Sequence, residues 1–363
     1  MLNFYSDLSP SAQTAYAQVL DHVMMGLLQR TVADLKGTFA KKTVSGHEYW
    51  YFQYRDMDSS VKQIYLGPRS ERLDRLIETK DSAPPGRQES LSKQARAAIV
   101  LGNAGVVRSQ FRVIRRLEEY GFFKAGGVLI GTHAFACYGN MLGIGWYDSN
   151  KTHDVDFAYA GRSVSLALPS DVKLDVHDAI TSLEMGFLPT AKLDGLIGGS
   201  DVIPHQPDFR LDFITTVGRD RSDLVNFPNL NIAMVPLKFM EYSLQDIRQA
   251  ALLSEQGAIL VNVPNPARFA LHKLIVAGER EGSFRTKAIK DLQQSAALLT
   301  YFAKHQPEEL MEAWTDLDSR GKGWRSRFNK GVEMLLREIP EIEQTLIWRE
   351  KVSSSKPLSI ERI

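Results

Sequence analysis

Apolar and polar positions fall into three rhythms along this chain. Between residues 8 and 35 the apolar residues Ala15, Val19, Leu20, Val23, Leu27 and Leu28 recur at helical spacing behind Ser9-Pro10-Ser11, a start signal. Residues 47–55 (HEYWYFQYR) and 61–66 (VKQIYL) then read as an aromatic hairpin around the turn DMDSS. Residues 69–80 read as a short helix, and 81–87 (DSAPPGR) as a linker. Helical spacing resumes over 88–120, broken near Gly102-Asn103-Ala104-Gly105.

From Gly121 the rhythm changes. GFFKAGGVLIG supplies a strand, Thr132–Tyr138 a short helix, and the Gly- and Asn-rich run 139–151 (GNMLGIGWYDSNK) a loop. HDVDFAYA alternates as a half-buried strand does, and so does FRLDFI at 209–214, with Arg210 and Asp212 opposite Leu211 and Phe213. Residues 163–192 and 237–260 carry mixed signals. From Pro266 onward the pattern is helical, over 266–281, 286–301, 307–317 and, in pieces, 328–349, and the last dozen residues read as a loose tail. Strands and helices in this order predict an α/β (α+β) fold. Its expected parts are an N-terminal helix and β-hairpin module (1–85), a mixed strand-and-helix domain (86–262, with a helical lead-in over 86–120), a helical domain (263–350) and a tail (351–363).

Composition narrows the classes. The 363 residues exceed one ordinary core, and 44% hydrophobic with 24% charged residues is the balance of a globular protein. A formal net charge of +1 removes the molecule as a whole from electrostatic nucleic-acid binding, so any basic surface must be local. Lys41, Lys42, Arg55, Lys62 and Arg69 surround the aromatic hairpin, as a nucleic-acid ribbon or as the solvated rim of a small sheet. Arg108, Arg112, Arg115 and Arg116 read as a solvated helix face. A single cysteine, Cys137, excludes a disulfide framework and fits a reducing compartment. Neither a signal peptide nor a membrane span is legible, so a cytoplasmic protein with no membrane partner is expected.

The candidate chemistry sits in the Asp154–Asp156 pair. In a strand, spacing i and i+2 puts both carboxylates on one face and turns Val155 and Phe157 to the core. Two like charges side by side repel, and a cation between them lets both stay ionised. The Gly131-Thr132 turn opening a helix offers free backbone N–H groups at the positive end of the dipole, a phosphate site.

Strand, Gly-Thr, helix, Asp-Val-Asp strand and a later strand with one Asp together resemble the nucleotidyltransferase superfamily with the polymerase-β-like fold, over about residues 125–300. Within it the chain is similar to bacterial stand-alone enzymes, including AbiE-type toxins of phage defence and toxin–antitoxin systems. The resemblance implies a mixed sheet with flanking helices and metal-dependent transfer of a nucleoside monophosphate from an NTP to an acceptor hydroxyl, releasing pyrophosphate. Asp154, Asp156 and Asp212 would be catalytic and would hold Mg²⁺ or Mn²⁺. Gly131, Thr132, Lys273, Lys290 and Asp291 would bind the nucleotide, Asp291 orienting the lysines. The acceptor could be tRNA or another RNA 3′ end, a protein or a small molecule, and the toxin resemblance implies a cognate antitoxin or operon partner. The alternative is a non-catalytic nucleotide-binding sensor, or an antitoxin-like partner, on the same fold. Two departures stand out: 21 residues separate Thr132 from Asp154, a longer interval than usual, and Thr132 replaces the usual Ser or Gly.

Smaller signals carry less. His133 and Cys137 at i, i+4 are expected to be helix packing, and His153 to be either a contact of phosphate or acceptor or a loop residue without a role. Residues 193–201 (LDGLIGGSD) are expected to be a loop, and Asp171 and Asp175 are weaker carboxylate candidates than Asp212.

Overall fold

The computed structural model describes residues 4–28, 37–44, 47–55, 61–71, 74, 85–147, 154–159, 174–191, 197–217, 223–280 and 285–348. In chain order the strands and helices are β1 (Tyr5–Asp7), α1 (Pro10–Leu28), β2 (Gly37–Val44), β3 (His47–Arg55), β4 (Val61–Pro68), α2 (Pro85–Val100), α3 (Arg108–Glu119), β5 (Gly127–Leu129), α4 (Gly131–Leu142), β6 (Ile144–Trp146) and β7 (Val155–Tyr159). There follow α5 (Val176–Thr181), β8 (Leu188–Ala191), β9 (Ile197–Ile203), β10 (Gln206–Thr216), β11 (Val225–Phe227), β12 (Ile232–Leu237), α6 (Met240–Ser243), β13 (Ile247–Ser254) and β14 (Gly257–Pro264). The chain closes with α7 (Pro266–Glu279), α8 (Arg285–His305), α9 (Pro307–Ser319), α10 (Lys322–Glu338) and a 3-10 stretch, Pro340–Ile347.

The central sheet is mixed. Its path runs β11-β12-β10-β7-β5, with β9 added to β10 and β8 to β9. Strands β7 and β10 run parallel, and β5 runs antiparallel to β7. One face is fixed by aromatic packing: Phe157 stacks on Phe213 with centroids 5.3 Å apart, and Phe122 meets Phe157 edge-on at 5.6 Å. All three rings are fully buried. Because side chains alternate, Asp156 and Asp212 lie on the opposite face, which also carries a smaller buried apolar cluster of Val128, Ile130, Ala158, Met240 and Leu244. A single core cluster includes Phe111 of α3, Phe157 of the sheet, Val263 of β14, Leu271 of α7 and Trp348 near the C-terminus. The sheet and the C-terminal helices therefore share one interior.

A buried amide locks the entry to β5. Asn262 donates to the carbonyls of Phe123 and Gly127 at 2.7 and 2.9 Å, so the β13–β14 hairpin is pinned behind the strand that leads into Gly131. The N-terminal helix α1 packs with α2 against the same hairpin through Tyr16, Val19, Ala95, Ala98, Ala251 and Leu253.

Several expectations are corrected. The loop expected at 139–151 is helical through Leu142 and then forms β6, which pairs antiparallel with β1. The glycine-rich run 193–201 is strand from Ile197, in β9. Helix α2 begins at Pro85, inside the expected linker. The aromatic hairpin carries a further strand, β2, and becomes a three-stranded antiparallel sheet. Residues 29–35, most of 69–80, the turn at 56–60 and the tail lie outside the described residues. Among the described residues no helix is long and apolar enough to cross a membrane.

Candidate nucleotidyl-transfer site

Strand register assembles the carboxylates. In the parallel β7–β10 pair Asp156 is the partner of Asp212, flanked by the pairs Val155–Leu211 and Phe157–Phe213 that point to the core. Asp154 stands one residue before β7, two positions from Asp156 and half-buried. The three carboxyl groups sense one another. Burial and then the charge of Asp212 push Asp156 up to about 6, against the pull of Lys273. Asp154 is raised as well, by burial first, with Lys287 opposing and Asp212 adding to the shift.

Asp212 is held by two donors. The Ser200 hydroxyl, across the β9–β10 ladder, donates to its Oδ1 at 2.5 Å, and Arg210 Nε donates to the same oxygen at 2.6 Å. Arg210 is half-exposed and lies two residues before Asp212 on the same strand face. Neither Ser200 nor Arg210 is among the site residues that the sequence leads one to expect. The i, i+2 placement of Arg210 beside Asp212 was the available signal for the arginine.

Gly131 opens α4 with φ +65°, and the backbone N–H of Ile130 donates to the Asp156 carbonyl at 3.0 Å. A Cβ added at Gly131 would lie 2.3 Å from Asp156 Oδ2, so only glycine fits against this carboxylate. Thr132 follows in the first turn of α4, which has no side-chain cap. The first N–H groups of the helix are thereby left for an external acceptor.

Helices α7 and α8 bring the cations. Lys273 and Arg280 both bind the buried carboxylate of Asp291, Arg280 at 2.5 Å. Lys290, half-buried, has its pKa lowered by burial and then by Lys273, with Asp291, Asp156 and Asp154 acting the other way. Lys287 is exposed and lowers both Asp154 and Asp156. Lys287 and Arg280 are further basic groups of this site that the sequence reading missed.

Two histidines lie behind the site. His133 and His272 are buried, and among the described residues His133 Nδ1 and His272 Nε2 have no hydrogen-bond partner. Burial pushes them down to about 4 and about 3, so both are neutral at physiological pH. Cys137 is buried and its thiol is pushed up to about 12, which makes it packing rather than a metal ligand. Asp175 caps α5, accepting from the Asp178 N–H at 2.7 Å, while Asp171 and His153 lie outside the described residues. Three of the four α3 arginines are tied up locally: Arg115 and Arg116 pair with Glu119, and Arg112 donates to the Leu183 carbonyl.

The donor set is all carboxylate oxygen, which suits a hard divalent cation. Among the described residues no three His, Cys, Asp or Glu side chains converge as a finished metal cluster. The Arg210 guanidinium instead occupies Asp212 and stands in for a cation there. Residues of the right chemistry are thus in place, one of them covered by its neighbour.

The nucleotidyltransferase family model matches residues 108–318, from α3 through α9, and the chain belongs to that family. The match extends past both ends of the segment in which the motifs were legible. A solved antigenic nucleotidyltransferase-like protein from Paracoccidioides brasiliensis shares 12% identity, with a TM-score of 0.35, over 67% of this chain and 94% of that one. No curated protein matches the sequence.

Proposed function

We propose that this protein transfers a nucleoside monophosphate from an NTP to an acceptor hydroxyl, with release of pyrophosphate. The observation that carries the reading is the parallel register that sets Asp212 beside Asp156, with Gly131 closed against the same carboxylate. A divalent cation, Mg²⁺ or Mn²⁺, would be held by Asp154, Asp156 and Asp212, and when bound would neutralise the triphosphate and the leaving pyrophosphate.

The chain's own residues supply the rest. The free N–H groups at the start of α4 and the Thr132 hydroxyl donate to phosphate oxygens. Lys290 and Lys273 face the acidic cluster from α8 and α7 and draw the negatively charged triphosphate to it, Lys273 being oriented by Asp291. Asp212 accepts the proton of the acceptor hydroxyl once Arg210 has turned to the incoming phosphate. The neutral histidines and the aromatic floor keep water from the buried side. The acceptor is an RNA 3′ end such as that of tRNA, a protein hydroxyl or a small molecule, and the toxin or phage-defence role, with its cognate antitoxin, belongs to this same reading.

The test is labelling of acceptors in a cell extract by each α-labelled NTP with Mg²⁺. Labelling lost in Asp156→Asn and on chelation is expected, and undiminished labelling in Asp156→Asn would sink the assignment. NTP binding with no pyrophosphate released in extract would instead favour a nucleotide sensor.

A further inference from the structure

A cavity of about 470 Å³ opens between α5, the β8–β9 pair and the segment joining β11 to β12. It lies on the far side of β9 from the carboxylates. The ladder shows why: Ser200 is the partner of Asp212, and the next residue, Asp201, is the partner of the core residue Leu211. Alternation then sends the Ser200 hydroxyl to the catalytic face and the Asp201 carboxyl to the other.

The cavity is built rather than incidental. Gly198 and Gly199 have φ of +121° and +80°, and a Cβ at either would stand 2.9 Å from Ala233 Cβ or 2.6 Å from Val235 Cγ2. Bare backbone therefore closes β9 against β12 and forms one wall. Ile180, Phe227 and Ile232 make much of the rest apolar, with Asn226 and Asn231 as neutral polar groups. Among the described residues Asp201 is the only carboxylate in the lining, and it is 7% exposed. Among the described residues no Lys or Arg pairs with it, and the one ionisable group facing it is His177 of α5. A buried carboxylate without a cation is unfavourable, and burial accordingly pushes Asp201 up to about 6, His177 opposing. The volume is that of a small-molecule site, apolar with a few convergent polar groups.

We propose that this cavity binds a small molecule with a flat apolar body and a protonated amine or amidine, the cation on Asp201 and the body against Phe227 and Ile180. The ligand supplies a positive charge that the described lining does not offer Asp201, and the apolar walls bury the remainder. This site does not depend on the nucleotidyl-transfer reading, since its residues face away from Asp154, Asp156 and Asp212.

Benzamidine is the probe, with benzamide as its uncharged counterpart, followed by titration calorimetry and ligand-observed NMR on the full chain. Saturable binding of benzamidine at pH 8 is expected, weakened roughly tenfold or more by benzamide's loss of charge, by acidification to pH 5, and by Asp201→Asn. Asp156→Asn is expected to leave it unchanged. Should Asp201→Asn fail to fold, the benzamide and pH comparisons on the wild-type chain still decide. The proposal is overturned if benzamidine does not saturate up to its solubility, if benzamide binds equally well, or if Asp156→Asn rather than Asp201→Asn abolishes binding.

Discussion

Gly131 and Asp156 share one space: the position that a side chain at residue 131 would take lies 2.3 Å from the Asp156 carboxylate oxygen. The helix that offers its N–H groups and the strand that offers its carboxylates are thereby brought into contact with no side chain between them. Gly131→Ala should push the carboxylate aside and also strain a backbone at φ +65°. We expect transfer to fall by about a hundredfold or more while the chain still folds, because small misplacements of reacting groups carry penalties of that order. Steady-state kinetics beside a thermal melt checks this, and full activity in Gly131→Ala would contradict it.

The raised pKa of Asp156 makes a stability statement. Its folded value of about 6 lies above the ordinary aspartate value of 3.8, so the folded state binds the proton more tightly than the unfolded chain. Stability from this group is therefore greatest at low pH, declines as pH rises between the two values, and stays reduced above about 6. Asp156→Asn should raise the unfolding free energy at pH 8 by on the order of 2 kcal/mol, while abolishing transfer. Denaturant titrations at pH 8 and pH 4.5 are the measurement. A variant less stable than wild type at pH 8 would count against it.

Asp291 holds two cations, so its loss should differ from the loss of either one. Asp291→Asn leaves Lys273 and Arg280 partly buried without their carboxylate, and is expected to cost about 3 kcal/mol or more. Lys273→Met and Arg280→Met each leave Asp291 with its other partner and should cost clearly less. Chemical denaturation of the three variants gives the ranking, and equal losses would show that the carboxylate does not act as a shared anchor.

Helices α7 and α10 cross at two glycines. A Cβ at Gly331 would lie 2.0 Å from the Leu274 carbonyl oxygen, and one at Gly278 would lie 2.1 Å from that of Arg327. Backbone cannot yield as a side-chain tip can, so Gly331→Ala should destabilise by about 2 kcal/mol or more, despite alanine's better helix propensity. Because Lys273 rides on α7 beside this crossing, we expect the KM for NTP to rise as well. A melt unchanged or raised by Gly331→Ala would refute the close crossing.

The parts of the fold that were legible were those whose pattern is local. Val155–Tyr159 and Phe209–Ile214 alternate because one face of each is core, and Pro266 behind Asn265 is a helix start that the side chain of Asn265 does cap, accepting from the Arg268 N–H at 3.0 Å. The carboxylates were legible for the same reason. What escaped was decided by distant partners. Ile144–Trp146 is strand only because Tyr5–Asp7 comes to pair with it, and Ile197–Ile203 is strand through a glycine pair that its own propensity argues against. Those glycines are explained by Ala233 and Val235, residues more than thirty positions on. Ser200, the second donor to Asp212, was hidden inside that same misread run. Lys287 and Arg280 belong to the site only through tertiary packing, which turns α7 and α8 toward the acidic cluster, and no local pattern marks them.

The pairing of β1 with β6 has a consequence for how this protein can be rearranged. Tyr5, Ser6 and Asp7 sit in register with Trp146, Gly145 and Ile144, the Leu8 N–H donates to the Gly143 carbonyl, and the Tyr147 N–H donates to that of Phe4. The first residues of the chain are thus stitched to the stretch that leaves α4 and heads for Asp154. The region matched by the family model starts a hundred residues later, yet it borrows a strand from the beginning. Excising residues 108–318, or grafting a different leader onto them, would unpick that seam, so a shortened form has to carry Phe4–Leu8 along with the family-matched region.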